Sequence, residues 1–296
     1  MQWHADEHAQ IEQALKAQLG TRFAISQAEP VSGGDINQAY RLHTTAGAMF
    51  IKLNRAERAA MFEQEATGLA AIAATQTIRT PQVIATGVTE HHGFLALSWH
   101  QPQPAEARDW QQLAEQLAAL HLADAATDNA KPFGFIRDNF IGTTPQPNNQ
   151  HSYWPEFFAE QRIGHQLSLL GDQLPLPTHD VCQKIARILA RNTVKPALLH
   201  GDLWAGNILF DSAGPLLIDP ACYVGDGEAD IAMTWLFGGY PTGFYDAYRA
   251  HITKPDDFEI RHQIYNLYHL LNHATLFGSH YLAQAEATID NIMRHR

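Results

Sequence analysis

The hydrophobic period of this 296-residue chain changes near residue 100. Before that point the text is mostly strand-like. FAISQAEPV, INQAYRLH and AMFIKL are short runs separated by Gly33-Gly34 and by Ala46-Gly47, a pattern that predicts three antiparallel strands joined by tight turns. FLALSW at 94–99 reads as a further buried strand. Two helices accompany them: Ile11, Ala14, Leu15 and Leu19 recur at helical spacing before Gly20, and Phe62, Ala66, Leu69 and Ala73 mark one helical face. Beyond residue 100 helices dominate. Trp110, Leu113, Leu117 and Leu120 share a face, as do Ile260, Ile264, Leu267, Leu271 and Ala274. A small sheet followed by a helical remainder predicts an α+β chain in two lobes, residues 1–100 and 101–296, with a ligand cleft between them.

Composition narrows the partners. The formal net charge is −11 and the basic residues are scattered, which repels a phosphate backbone and excludes nucleic acid. ATP needs only a local cation cluster, much of which Mg²⁺ supplies. Apolar runs fall far short of the roughly 20 residues of a membrane span. The polar, acidic start MQWHADEHAQIEQ is unlike a signal peptide, so a cytoplasmic protein with no membrane partner is expected. Cys182 and Cys222 form no metal-type pair, and the 17 histidines contain no HExxH spacing.

The chemistry concentrates in PALLHGDLWAGNILFDSAGPLLIDPA at 196–221. Two short apolar strands, ALL with its HGD continuation and PLLID, each end in an aspartate; Asn207 follows Asp202 by five residues, and Asp219 follows one hairpin later. Phosphoryl transfer needs a group that orients or deprotonates the incoming hydroxyl, and oxygen ligands that hold Mg²⁺ on the phosphates. Asp202 suits the first task; Asn207 and Asp219 suit the second. His200 is expected to order the loop by hydrogen bonding.

HGDLWAGN with LLIDPA resembles the aminoglycoside phosphotransferase and choline kinase group, distant relatives of protein kinases. The ordered phrases VSGGDINQAYRL, FIKLN, MFEQEATGLAAI, PFGFIRDNFIGTTPQPN, IDPACYVGDGEADIAM and LFGGYPTGFYDAY make the chain similar to the fructosamine kinase (ketosamine 3-kinase) family over almost its whole length. The resemblance implies a protein kinase-like fold, with a nucleotide-binding first lobe and a catalytic, substrate-binding second lobe. It also implies ATP-dependent phosphorylation of the third-carbon hydroxyl of a ketoamine, either a small molecule or a glycated protein lysine. A kinase of the same fold acting on an aminoglycoside, choline or another small alcohol is the alternative. A silent nucleotide-binding protein would be expected to have lost Lys52, Asp202 or Asp219, and all three are present. Oligomeric state stays open.

The first lobe should then supply the nucleotide grip. Gly33 and Gly34 let backbone approach phosphates, with Ser32 and Asn37 as further polar contacts. Lys52, on the third strand, matches the kinase lysine for the α/β-phosphates. Of the two glutamates on the next helix, Glu65 lies closer than Glu63 to the Phe62/Leu69 face and is the expected partner of Lys52. Backbone groups of Leu97, Ser98 and Trp99 should read adenine. Glu228 and Asp230 match family positions that contact the loop or the substrate, a structural capping role being the other reading. Trp204, Gln146, Asn148 and Trp154 are substrate-side candidates.

Overall fold

The computed structural model describes residues 5–32, 36–124 and 130–295. Its first lobe is a five-stranded antiparallel sheet of order β1-β2-β3-β5-β4, from β1 Ile25–Pro30, β2 Gln38–Thr44, β3 Gly47–Arg55, β4 Val83–Val88 and β5 His92–Ser98. The two faces have different work. Tyr40, Leu42, Met49, Ile51 and Leu53 point to one side and bury against Ile11 and Leu15 of α1 (Ala5–Leu19). The alternate positions of β3, Phe50 and Lys52, face the other side, where α2 (Ala59–Ala74) packs Phe62 and Leu69 against Leu95 and Leu97. A period of two on β3 therefore puts one lysine on the same side as a helix it must meet.

The strand at 83–88 is absent from the sequence reading. VIATGV is short and carries glycine, and its pairing with β5 is a tertiary event that includes a register shift between Val83 and Ala85.

The architecture changes in the segment 99–106, after which α3 (Ala107–Leu122) begins with a capping box between Glu106 and Asp109. A small hairpin follows, β6 (Asn139–Ile141) with β7 (Thr144–Gln146). The next helix runs as α4 (Trp154–Phe157), a π-helical stretch Phe158–Gly164 and α5 (His165–Leu170), and α6 spans Thr178–Leu189. The catalytic-type segment forms β8 (Ala197–Leu199), β9 (Ile208–Asp211) and β10 (Gly214–Leu217), then β11 (Tyr223–Gly225). β9 pairs with β10 and β11 returns to β8, so the two apolar runs of the sequence lie in different ladders. α7 (Glu228–Leu236), α8 (Thr242–Arg249), α9 (Phe258–Phe277) and α10 (Ser279–Arg294) complete the helical lobe. Its largest core packs α4 to α6 against α9 and α10. No helix among the described residues is long and apolar enough to cross a membrane.

The lobes are tied beside the β5 exit. Arg79, ahead of β4, makes a two-pronged ion pair with Asp211 at the end of β9, both contacts 2.8 Å, and its carbonyl accepts from Leu217 N. His100 Nδ1 meets the same carboxylate at 2.9 Å. The Arg79 guanidinium holds the Asp211 carboxyl far below the usual range.

Candidate active site

Asp202, Asn207 and Asp219 come together because a four-residue strand, a tight turn and a second four-residue strand return the chain to its starting point. Asn207 immediately precedes β9, and Asp219 stands two residues beyond β10. Ile218 N donates to Asn207 O at 3.0 Å, which closes the ring at its base. The Asn207 amide donates to the Asp202 carboxylate at 3.0 Å and to its carbonyl at 2.8 Å. Burial pushes the Asp202 carboxyl up, to about 7; the Asn207 hydrogen bond opposes that, while the negative charges of Asp219 and Asp230 add to it. A carboxyl near neutrality is suited to take or share a hydroxyl proton.

The loop is held from several sides. Gly201 has φ +82 and a Cβ there would collide with the Ala221 carbonyl, so only glycine lets the HGD turn lie against the segment after Asp219. His200 is neutral, lowered chiefly by burial; its Nε2 donates to Ile218 O at 2.8 Å and its Nδ1 accepts from Asp202 N. Tyr240, in the GGYP phrase, donates its hydroxyl to Leu203 O at 3.0 Å, a support the sequence reading gave no role. Asp230, at the start of α7, accepts from His200 N at 2.7 Å on one oxygen and from Gly201 N at 2.8 Å on the other, while His121 meets the carboxylate at 3.2 Å. Its role is therefore to clamp the loop. Burial would raise this carboxyl, but the His121 hydrogen bond, the nearby imidazoles and the backbone donor of Gly201 hold it below the ordinary value. Asp230→Asn leaves one acceptor oxygen for two backbone N–H donors and turns an amide nitrogen toward the other. It is expected to lose about 1–3 kcal/mol in denaturant unfolding, together with turnover.

Across the cleft, Lys52 Nζ lies 2.8 Å from Glu65 and in direct contact with Asp219. Glu63 is exposed and takes no part. Burial alone would lower the Lys52 ammonium; the two carboxylates reverse this and hold it well above its usual value, fully charged. Burial raises Glu65, to about 7, against the pull of Lys52, since two carboxylates share one cation. The helix carrying Glu65 can approach because Gly68, one turn on, packs against Pro220 and Cys222, where a Cβ would sit 3.2 Å from each side chain. Asp219 itself has φ +57, a region that favours Asn and Asp among residues with a Cβ.

Mg²⁺ fits this donor set. The Asn207 amide nitrogen is spent on Asp202, which leaves its side-chain oxygen, and the Asp219 side chain is 43% exposed; both offer hard oxygen donors. Among the described residues no cluster of three or more His, Cys, Asp or Glu could cage a metal. An ion held by one or two protein oxygens together with phosphates needs no such cage.

Several expected site residues stand elsewhere. Gly33 and Gly34 lie outside the described residues. Ser32 is exposed, and Asn37 turns its side-chain oxygen to Asn54 at 2.7 Å, which braces the loop against β3 two residues beyond Lys52. Leu97 is inside β5, its backbone facing Phe50 and Val83 and its side chain buried; Ser98 N is spent on Gln82 O at 2.9 Å. The first backbone groups past the strand are those of Trp99 and His100. The approach of the segment leading into β4 is what consumes the Ser98 N–H.

The remaining substrate-side candidates also move. Trp154 is 1% exposed, ringed by Phe157, Phe158 and Tyr223, with its indole N–H donating to Tyr265. Asn148 accepts from the buried Arg162 at 2.6 Å. Gln146 donates to Ala221 O, while its neighbour Asn139 donates to Cys222 O at 2.8 Å. These residues brace the segment behind Asp219 and do not face the cleft. Glu228 is buried in a two-pronged pair with Arg249 and a contact to His262; burial would raise it, but the Arg249 guanidinium and these hydrogen bonds bring it to about 2. It ties α7 to α8 and α9. Trp204 alone of the group is substantially exposed, two residues from Asp202.

Comparison with known proteins shows what the chain as a whole is similar to. A sequence profile described as fructosamine kinase matches residues 7–295. A Synechocystis sp. protein called a probable ketoamine kinase is 42% identical over 96% of this chain and 96% of its own. The chloroplastic protein-ribulosamine 3-kinase of Arabidopsis thaliana is 40% identical over 93% of this chain and 85% of its own. A crystal structure assigned as a fructosamine-3-kinase from Haemophilus somnus superposes with a TM-score of 0.88 at 31% identity, covering 97% of each chain.

Proposed function

The chain belongs to the fructosamine kinase family, and from that premise we propose that it transfers the γ-phosphoryl group of ATP to the 3-hydroxyl of a ketoamine. The observation that carries the proposal is the meeting of Lys52, Glu65 and Asp219 from two lobes at the place where Asn207 holds Asp202. Glycated relatives of lysine and their small-molecule counterparts are the acceptor class, as the name of the plant relative suggests.

In the mechanism, Asp202 orients the acceptor hydroxyl and takes its proton as the new O–P bond forms. Asn207 keeps the Asp202 carboxylate aimed while presenting its own carbonyl oxygen to the metal side. Mg²⁺, when bound, would offset charge on the phosphates. Lys52 leaves Asp219 to meet the phosphates and stays oriented by Glu65. Backbone groups of Trp99 and His100 hold the adenine edge, just past the end of β5 that pairs with the start of β3. Positioning is the larger effect, able to remove roughly 7–11 kcal/mol of barrier.

An ATP-consumption assay across ketoamines tests the reading, with fructosyl, ribulosyl and erythrulosyl adducts beside choline and aminoglycosides. Phosphate on carbon 3 of a ketoamine is the expected product. Turnover confined to choline or aminoglycosides refutes it.

A further inference from the structure

A run of rings leads away from Asp202. The Trp204 ring folds over Gly206 of its own loop and meets Phe237 edge-on, with centroids 6.4 Å apart. Phe237 faces His273 at 5.0 Å, and His273 faces Phe277 at 5.4 Å and Tyr281 at 5.0 Å. Aromatic side chains elsewhere in this lobe are mostly buried, yet Trp204, Phe237 and Phe277 are 41%, 42% and 55% exposed. A contiguous exposed aromatic surface on a soluble-type fold marks a place of contact.

Two observations say which contact. The near end of the run is two residues from Asp202. The far end reaches Leu276, beside Phe277, which packs at the tip of the β6–β7 hairpin. A Cβ on Gly142 there would lie 3.0 Å from Leu276 and 3.5 Å from Ile36, next to the glycine turn. Ile36 in turn is held by Asn54 at the end of β3, whereas the β5 exit lies opposite Met49 at its start. The ring surface thus borders the mouth of the cleft at the end remote from the adenine edge, where the part of an acceptor that does not react must emerge.

In a ketoamine that part begins with a protonated secondary amine on an alkyl stem, a cation followed by apolar carbon. Ring faces suit both pieces, by cation–π attraction and by burial. His273 adds little opposing charge: burial lowers its imidazole below the usual range, against the hydrogen bond that its Nδ1 donates to His269 O at 2.8 Å. We propose that Phe237, Phe277 and Tyr281 carry the amine-bearing half of the acceptor, and that this ledge selects sugar adducts on long or apolar amines, such as a lysine within a peptide, over the same sugar on a small polar amine. The inference rests on the ketoamine kinase reading.

The test compares one ketose carried on glycine with the same ketose on the lysine of a leucine-flanked peptide, for the wild type, Phe237→Ala and Phe277→Ala. The wild type is expected to favour the peptide adduct in kcat/KM, and each substitution to reduce that ratio about tenfold, mainly through KM. The KM for ATP and the melting curve of each variant report on folding. A ratio unchanged by either substitution overturns the ledge. Wild-type turnover of both adducts with equal efficiency also overturns it while leaving the kinase reading intact. The ketose is the one the acceptor panel shows to be phosphorylated, and a panel in which no ketoamine is phosphorylated removes the kinase reading and the ledge with it. Light scattering covers another occupant, a second copy of the chain: a dimer that Phe277→Ala dissociates overturns the proposal.

Discussion

Asp202→Asn is expected to keep nucleotide binding and to lower kcat by at least about two decades, because the amide cannot accept the hydroxyl proton. The same substitution should stabilise the ligand-free protein. The folded Asp202 carboxyl is raised to about 7, above an unfolded value of about 3.8, so the folded state binds more protons than the unfolded state between those limits. Its contribution is therefore a cost, absent at about pH 3.8 and below, growing as pH rises to about 7 and constant beyond. The asparagine removes a cost on the order of a few kcal/mol at pH 8 and almost none at pH 4. Thermal melts of both proteins at the two pH values read this directly, and the wild-type kcat should fall as the pH drops below about 7. Near-native turnover of the variant would remove Asp202 from the mechanism, and an equal stability difference at both pH values would remove the electrostatic account.

Asp219→Asn is the second large effect. Asparagine keeps the side-chain shape and tolerates the φ of +57 found at this position, so the substitution deletes charge with little backbone strain. Loss of a preorganised electrostatic contact of this type is worth about 10²- to 10³-fold in kcat. The affinity gain that Mg²⁺ gives ATP should also disappear, as calorimetry with and without the metal would record. Lys52 keeps Glu65 as its partner, so binding of metal-free ATP should persist. If the metal still strengthens ATP binding to the variant, the metal is held elsewhere. Asp219→Ala adds the cost of a left-handed alanine, and the difference between the two variants isolates that backbone contribution.

The parts of the site visible in the residues are those built by short-range geometry. From His200 to Asp219 the chain folds back through one hairpin, so the order of Asp202, Asn207 and Asp219 nearly dictates their proximity. The meeting of Lys52 with Glu65 follows from a period of two on β3 and of 3.6 on the next helix, two periodicities that a single chain displays openly. Gly201 is harder to read. Its glycine could be any turn until the Ala221 carbonyl is seen against it.

Other assignments depended on partners far away in the chain. Trp154, Gln146 and Asn148 look like surface or ligand residues in isolation, yet Tyr265, Ala221 and Arg162 draw them inward. A polar side chain is buried only where a distant group satisfies it, and no local pattern encodes that match. The Ser98 N–H was spent for the same reason, since β4 had no clear local signature and its neighbour Gln82 took that donor. The residues alone thus determined the two-lobed α+β fold and the meeting of Asp202, Asn207 and Asp219, because both arise from periodicity and a single hairpin. Only the tertiary structure decided which polar and aromatic side chains face the cleft and which brace it from behind, because that depends on long-range packing and on which hydrogen-bond donors remain unspent.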